Sequence, residues 1–272
     1  MSNELATRYI ELLQGCLSRS LFIDEEPHHA RVGDALSSTQ LATVREHDWE
    51  IVTIGGDRGE RAEGRDWPPY AETMIGDRRL DNVVACVTEL LADGIPGDLI
   101  ETGAWRGGAT ILMRGILAAH GVTDRRVWVA DSFEGLPAPD AARYPADEGV
   151  DLSGIDLLKV TAERVKANFE RYGLLDDQVQ FLEGWFRDTL PDAPIDSLAL
   201  IRLDGDLYES TMDALTALYP KLSPGGFVIV DDYGAFEPCR QAISDYRDAN
   251  GIDDPITEID WTGVYWRRAL DA

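Results

Sequence analysis

The chain has 272 residues, 44% hydrophobic and 28% charged, with 25 basic against 50 acidic side chains and a formal charge of −25. That length suits one large α/β domain or two smaller ones with a proper core. The charge repels phosphate backbones and anionic lipid, which argues against nucleic-acid or membrane-surface partners.

Residues 4–20 have helical periodicity through Leu5, Tyr9, Leu12, Leu13 and Cys16. From 24 to 72 the period is lost in a polar stretch containing Ile54-Gly55-Gly56 and Trp67-Pro68-Pro69-Tyr70. A segment of that length without period is functional or mobile, and Trp49, Trp67 and Tyr70 suggest a cover rather than a linker. Thr73 leads into a helix through Leu80, Val83, Val84, Val87, Leu90 and Leu91. A β-α-β rhythm follows: a strand at 98–102, the turn 103–108, a helix at 109–119 and a strand at 126–130 ending in Asp131. Beyond an irregular insert at 136–155 come a helix at 157–172 and strands at 178–182, 197–203 and 226–230. A helix at 238–250 and strands at 256–260 and 263–267 close the chain. This alternation implies an α/β fold, a largely parallel sheet of seven strands with helices on both faces.

No apolar run approaches the roughly 20 residues that span a bilayer, and Met1 to Arg8 lack the charged-then-apolar pattern of a signal peptide. Cys16, Cys86 and Cys239 are far apart and form no CxxC, so reduced thiols and a cytoplasmic location are expected. His28, His29, His47 and His120 have no zinc-type spacing.

The strand Leu200-Ile201-Arg202-Leu203 ends in Asp204-Gly205-Asp206, and Phe227-Val228-Ile229-Val230 ends in Asp231-Asp232. On parallel neighbours roughly 4.8 Å apart, Asp204, Asp231 and Asp232 converge at one edge. Such carboxylates repel unless a hard cation, Mg²⁺, Ca²⁺ or Mn²⁺, lies between them; the plainer alternative is that they cap the following helices. The turn Glu101-Thr102-Gly103-Ala104-Trp105-Arg106-Gly107-Gly108 brings backbone N–H groups against a ligand, or is only a tight connection. It is neither a dinucleotide fingerprint nor a P-loop, and Glu101 suits a cationic or amino-bearing ligand. Asp131, in Asp131-Ser132-Phe133-Glu134-Gly135, sits where an acid holds a ribose diol, or caps a turn. Near Gly184, Trp185 and Phe186 could sandwich a flat base or pack on a helix.

These positions resemble the class I S-adenosylmethionine-dependent methyltransferases, and more specifically the macrocin O-methyltransferase (TylF-type) family of sugar O-methyltransferases. The matching residues are Thr73-Met74-Ile75-Gly76 with Arg79-Leu80-Asp81-Asn82, the Glu101 and Asp131 turns, Gly184-Trp185-Phe186 with Asp188-Thr189-Leu190-Pro191, Asp204 to Thr211, Asp231-Asp232-Tyr233 and Gly263 to Arg267. The resemblance runs from Thr73 to Arg268 and is much weaker before it. It implies a Rossmann-like methyltransferase domain over 73–272, with 1–72 as an N-terminal helix and variable lid on the same structural domain. It implies Mg²⁺, or another hard divalent cation, on Asp204, Asp231 and Asp232, and Asp206 as general base. Cofactor contacts are implied for Thr73, Met74, Glu101, Thr102, Gly103, Ala104, Trp105, Asp131 (on the ribose), Ser132, Phe133, Glu134, Gly135, Gly184, Trp185 and Asp188. The implied activity is methylation of a sugar hydroxyl on a glycosylated natural product such as a macrolide or aminocoumarin, by a homo-oligomer (dimer or higher).

The segments 24–72 and 136–155 are expected to form the acceptor pocket, with Trp49, Trp67, Tyr70 and Tyr144 stacking on the acceptor or packing in the core. A catechol-type methyltransferase would use the same metal logic on a phenolic diol. A nicotinamide oxidoreductase is disfavoured by the absent fingerprint, and a non-catalytic cofactor-binding scaffold by the retained carboxylates.

Overall fold

The computed structural model describes residues 3–29, 36–49 and 51–270. Helix α1 (Asn3–Leu17) buries Ala6, Ile10, Leu13 and Leu17, spaced by four, three and four residues, against α5 (Gly108–Ala119). The expected stripe holds in part: Leu13 is buried and Tyr9 packs against the core, but Leu5 and Leu12 face solvent. The 24–72 region, read as irregular, holds an antiparallel pair, β1 (Pro27–His29) with β2 (Val52–Ile54), and two short helices, α2 (Ser38–Glu46) and α3 (Arg58–Glu63). Ser37 and Gln40 close a capping box on α2, and Asp57 accepts the Gly59 and Glu60 N–H groups at the start of α3. Elements this short leave little periodicity to read.

From α4 (Asp77–Ala92) onward the expected rhythm is present: β3 (Asp98–Thr102), α5, β4 (Val127–Asp131), α6 (Ala162–Arg171), β5 (Val179–Glu183), α7 (Phe186–Thr189), β6 (Leu198–Leu203), α8 (Tyr208–Leu218), β7 (Leu222–Val230), α9 (Glu237–Asn250), β8 (Thr257–Glu258) and β9 (Val264–Arg267). Helix α6 starts later than expected because the Thr161 hydroxyl caps it by accepting the Arg164 N–H. Helices α7 and α8 fill connections to which no element was assigned.

The seven strands run in the order β5-β4-β3-β6-β7-β9-β8; β3 to β7 are parallel, and β9 is antiparallel to both β7 and β8. Alternate residues supply the two faces. Leu99, Val129 and Ile229 pack with α1, α4, α5 and α6; Ile100, Trp128, Ile201 and Val228 pack with α8 and α9. β3 pairs with β4 on one side and β6 on the other, so the chain order reverses between β3 and β6. Ligands collect outside the carboxyl ends of strands at such a switch point.

Candidate active site

A cavity of about 370 Å³ opens at that point. At its centre, β3 and β6 are tied where Asp204 N–H donates to the Thr102 carbonyl (2.9 Å). Gly103 follows with φ +90°, and a Cβ there would lie 1.7 Å from the Asp204 carbonyl oxygen. Only glycine allows this turn and the acidic loop to touch.

The Asp131 carboxylate organises the Gly103 turn. Its Oδ2 accepts the N–H groups of Ala104 (2.7 Å) and Trp105 (3.3 Å), and its Oδ1 that of Phe133 (2.7 Å). Burial raises its pKa, and these backbone donors oppose that rise. Ser132 donates its hydroxyl to the Gly135 carbonyl (2.7 Å), closing the next turn. Trp105 (φ 47°), Phe133 (φ 58°) and Asp206 (φ 56°) are left-handed non-glycine residues, each just beyond a strand's carboxyl end. Strain of about 1 kcal/mol or more at each persists because the surroundings over-determine it.

Among the implied cofactor residues, Thr73, Met74, Glu101, Gly103, Ala104, Trp105, Asp131, Ser132, Gly135 and Trp185 line the cavity. Five do not. The Thr102 hydroxyl is buried and donates to the Arg202 carbonyl; Phe133 packs in the core toward Phe181; Glu134 is exposed; Gly184 abuts Thr189; Asp188 faces solvent beside Arg187. Two residues of the turn hold the covering segments. The Trp105 indole donates to the Leu157 carbonyl (2.8 Å), and Arg106 donates to the carbonyls of Pro69 (2.7 Å) and Ala71 (2.8 Å). From α3, buried Arg61 donates to the carbonyls of Met74 (2.8 Å) and Ile75 (2.7 Å).

Beside the turn lies the acidic cluster. Asp204, Asp231 and Asp232 each present an oxygen within 4.8 Å of the others. Arg202, the penultimate residue of β6, pairs with Glu101 (2.5 Å), Asp204 (2.7 Å) and Asp231; Arg79 on α4 pairs with Asp231 and Asp260 (3.0 Å). Glu101 therefore serves Arg202 rather than standing open to an amino group, although its Oε2 is buried with no hydrogen-bond partner. Burial first, and then Asp204 and Asp231 against the pull of Arg202, raise the Glu101 pKa to about 8. Asp204 is raised to about 6 by burial and Asp231, and Asp206 to about 7 by burial, Asp204 and Asp231. Asp232 is raised by burial and by Asp206 and the other two acids, and its Oδ2 accepts the Asp206 N–H (3.1 Å). Among the described residues no ion pair reaches Asp206 or Asp232, so two guanidinium groups leave the cluster with excess negative charge. An all-oxygen donor set with that excess fits a hard divalent cation.

The acceptor side was read less well. Trp67 lines the cavity, but Trp49 stacks on His47, Tyr70 is exposed and Tyr144 packs toward Tyr208. The insert contributes Leu136, Pro137, Leu152 and Ile155. Buried Asp147 docks the insert on α8 by accepting the Tyr208 (2.7 Å) and Glu209 (3.1 Å) N–H groups. Phe186, read with Trp185 as a possible base sandwich, lines the cavity; sequence reasoning missed the roles of Arg79 and Arg202, and the wall formed by Arg187, Glu209, Asp213, Phe236 and Trp261. A charged residue inside the run Leu198 to Leu203 was the available signal for Arg202.

The family model for macrocin-O-methyltransferase (TylF) matches residues 6–268, so the likeness extends well before Thr73. The 8-demethyl-8-(2,3-dimethoxy-alpha-L-rhamnosyl)-tetracenomycin-C 4'-O-methyltransferase of Streptomyces olivaceus is 62% identical over 213 residues, 78% of this chain and 81% of that protein. The demethyldecarbamoylnovobiocin O-methyltransferase of Streptomyces niveus is 48% identical, covering 98% of this chain and 95% of its own. The solved structure of the O-methyltransferase NovP superposes with a TM-score of 0.85 at 48% identity, over 97% of this chain and 99% of that one. The chain belongs to the macrocin-O-methyltransferase family and is an O-methyltransferase with the Rossmann-like fold of its class.

Proposed function

We propose that this member of the family methylates a sugar hydroxyl of a glycosylated natural product, using S-adenosylmethionine and a divalent cation, Mg²⁺ by preference. The observation that carries the reading is the meeting of the Gly103 turn with the Asp204, Asp231 and Asp232 cluster in one cavity. Two relatives support the acceptor class, being named for a rhamnosyl tetracenomycin and for a novobiocin precursor.

S-adenosylmethionine, when bound, supplies an electrophilic methyl group; a cation held by Asp204, Asp231 and Asp232 supplies acidification of an adjacent sugar hydroxyl. The chain does the rest. Gly103 to Trp105 and Ser132 to Gly135 shape the cofactor pocket, with Thr73 and Met74 closing over it. Asp131 has three backbone N–H groups on roughly four acceptor positions, which leaves capacity for a ribose hydroxyl. Asp206 is positioned by its strained backbone and its N–H bond to Asp232, and its carboxylate receives the acceptor's proton. A nearby cation makes Asp206 a weaker base, so its main task is to take up the proton.

The acceptor is the finished glycoside rather than a nucleotide-activated sugar. Arg79, Arg187 and Arg202, which border or underlie the cavity, are each engaged by carboxylates, and the net charge of −25 opposes a diphosphate. The same reading makes residues 1–72 a lid on the 73–272 domain and the enzyme a cytoplasmic homo-oligomer. Free cysteines at 16, 86 and 239 agree with a reducing compartment, and no helix among the described residues is long and apolar enough to cross a membrane.

The test is calorimetric titration of S-adenosylhomocysteine and then Mg²⁺ into EDTA-treated protein, alongside Asp204→Ala/Asp231→Ala and Asp206→Asn variants. Both ligands bind the wild type and Asp206→Asn, whereas the double variant binds only the cofactor product. Turnover of glycosides by Asp206→Asn falls by about 10²–10⁴-fold. Full activity in Asp206→Asn removes it as base, and turnover of catechols but not glycosides returns the reading to the phenolic class.

A further inference from the structure

We propose that Arg79, anchored by Asp260, is a positioning residue for Asp231: it sets the plane of that carboxylate so that the cation site is formed before the cation arrives. This rests on reading Asp204, Asp231 and Asp232 as a cation site.

The three carboxylates are held differently. Asp204 leans on Arg202 alone, and Asp232 accepts only the Asp206 N–H among the hydrogen bonds described above. Asp231 is gripped at both oxygens, Oδ1 by Arg202 and Oδ2 by Arg79. A carboxylate with a guanidinium on each oxygen cannot rotate about its Cβ–Cγ bond without losing a charge-assisted bond, and each oxygen keeps acceptor capacity for a cation.

Arg79 is fixed in turn. Its Nε donates to Asp260 Oδ2 (3.0 Å), whose side chain is fully buried. The other oxygen of Asp260 accepts the N–H groups of Thr262 (3.0 Å) and Gly263 (2.7 Å) in the β8–β9 turn. From the same turn, the Thr262 hydroxyl donates to the Asp231 carbonyl (2.8 Å). One turn thus holds Asp231 by its backbone directly and by its carboxylate through Arg79. The arginine also occupies a slot without side chains. A Cβ at Gly263 would lie 3.0 Å from Arg79 Cδ, and one at Gly64 2.3 Å from its Nη2. Placing buried ion pairs is seldom a route to stability, because desolvation offsets much of the attraction. Orientation is what this arrangement supplies.

If Arg79 merely neutralised charge, removing it would deepen the negative potential and tighten cation binding. If it positions Asp231, removing it weakens binding, as loss of a ligand's supporting partner does, by about 10–100-fold. The two accounts predict opposite signs.

The experiment is titration of the full chain with Mn²⁺ followed by electron paramagnetic resonance. Calorimetry with S-adenosylhomocysteine and thermal melting are the readouts for a merely structural role. Arg79→Gln and Asp260→Asn weaken Mn²⁺ binding by about 10–100-fold while cofactor-product affinity holds. Arg79→Lys keeps the charge but lacks the fork that spans both carboxylates, and falls between them and the wild type. Gly263→Ala alters no charge and keeps the test alive if the others fail to fold; it too weakens Mn²⁺ binding by crowding Arg79. Unchanged or tighter Mn²⁺ binding in these variants overturns the proposal and leaves the cation site standing. A wild type that binds S-adenosylhomocysteine but no Mn²⁺ overturns the cation site and this proposal with it.

Discussion

Withdrawing divalent metal should make this protein lose stability as the pH rises through neutrality, and the structure sets the size of the effect. Glu101 stands at about 8, Asp206 at about 7 and Asp204 at about 6, all above the ordinary carboxylate range because burial and neighbouring acids disfavour their ionised forms. A carboxyl group whose folded pKa exceeds its unfolded value binds more protons when folded. Its contribution is fully present below the unfolded pKa and is lost progressively as pH rises from there through the folded pKa. At pH 7 the folded state holds roughly 1.5 more protons on these groups than the unfolded chain, which makes the slope about −2 kcal/mol per pH unit. Asp232, raised for the same reasons, adds in the same direction. For a chain of this size, that is a fall in Tm of roughly 4–8 °C per unit between pH 6 and 8. Scanning calorimetry on EDTA-treated protein, with enough salt to screen surface charge, measures it. Because a cation on the proposed site would compete with these protons, Mg²⁺ is expected to raise Tm more at pH 8 than at pH 6. Glu101→Gln removes the largest contributor and flattens the slope. A metal-free Tm that is flat or rising over this range, or a Glu101→Gln slope equal to wild type, refutes the electrostatic account of the cluster.

Gly103→Ala places a methyl 1.7 Å from the Asp204 carbonyl at φ +90°, and should cost at least about 2 kcal/mol while abolishing cofactor and cation binding together; intact S-adenosylhomocysteine affinity by calorimetry would contradict that coupling. Arg61→Met breaks the buried ion pair with Asp66 and strips the Met74 and Ile75 carbonyls of a charged donor; a stability loss of about 3–5 kcal/mol and weaker S-adenosylhomocysteine binding are expected, and unchanged affinity would place residues 73–75 away from the cofactor.

The sheet was legible because each central strand is an apolar run cut off by carboxylates, and strand ends are where unpaired acids can stand. That reasoning placed Asp204 and Asp231 at the adjacent ends of β6 and β7, where the register pairs Leu203 with Val230. It failed where a residue's role depends on a distant partner. Glu101 does line the cavity, but its pairing with Arg202, 101 positions later, could not be read because the two are cross-strand neighbours only once β3 and β6 pair. Phe133 and Gly184 sit inside cofactor-like motifs yet face away, Phe133 because its left-handed turn sends the ring into the core toward Phe181. On α1, Leu5 and Leu12 are as apolar as Ile10 and more so than Ala6, yet it is Ala6 and Ile10 that are buried, so tertiary placement decides the buried stripe.

The proposed acceptor side was least legible for a related reason: the segments that cover the cavity are held by a few contacts between residues distant in the chain. Trp105 holds the stretch after the insert through Leu157, Arg106 holds residues 69–71, and Asp147 fastens the insert to α8. Trp105 and Arg106 are consecutive residues of the cofactor turn, so a ligand that orders the turn bears on both covering segments at once. Each added constraint lowers the entropy still to be lost when an acceptor is enclosed. On this geometry cofactor occupancy should tighten acceptor binding without touching the acceptor. On the proposed function, the chemistry resides in acids on rigid strand ends, while acceptor choice resides in loops such as 136–155 whose sequence can change without disturbing Asp204, Asp231 or Asp232.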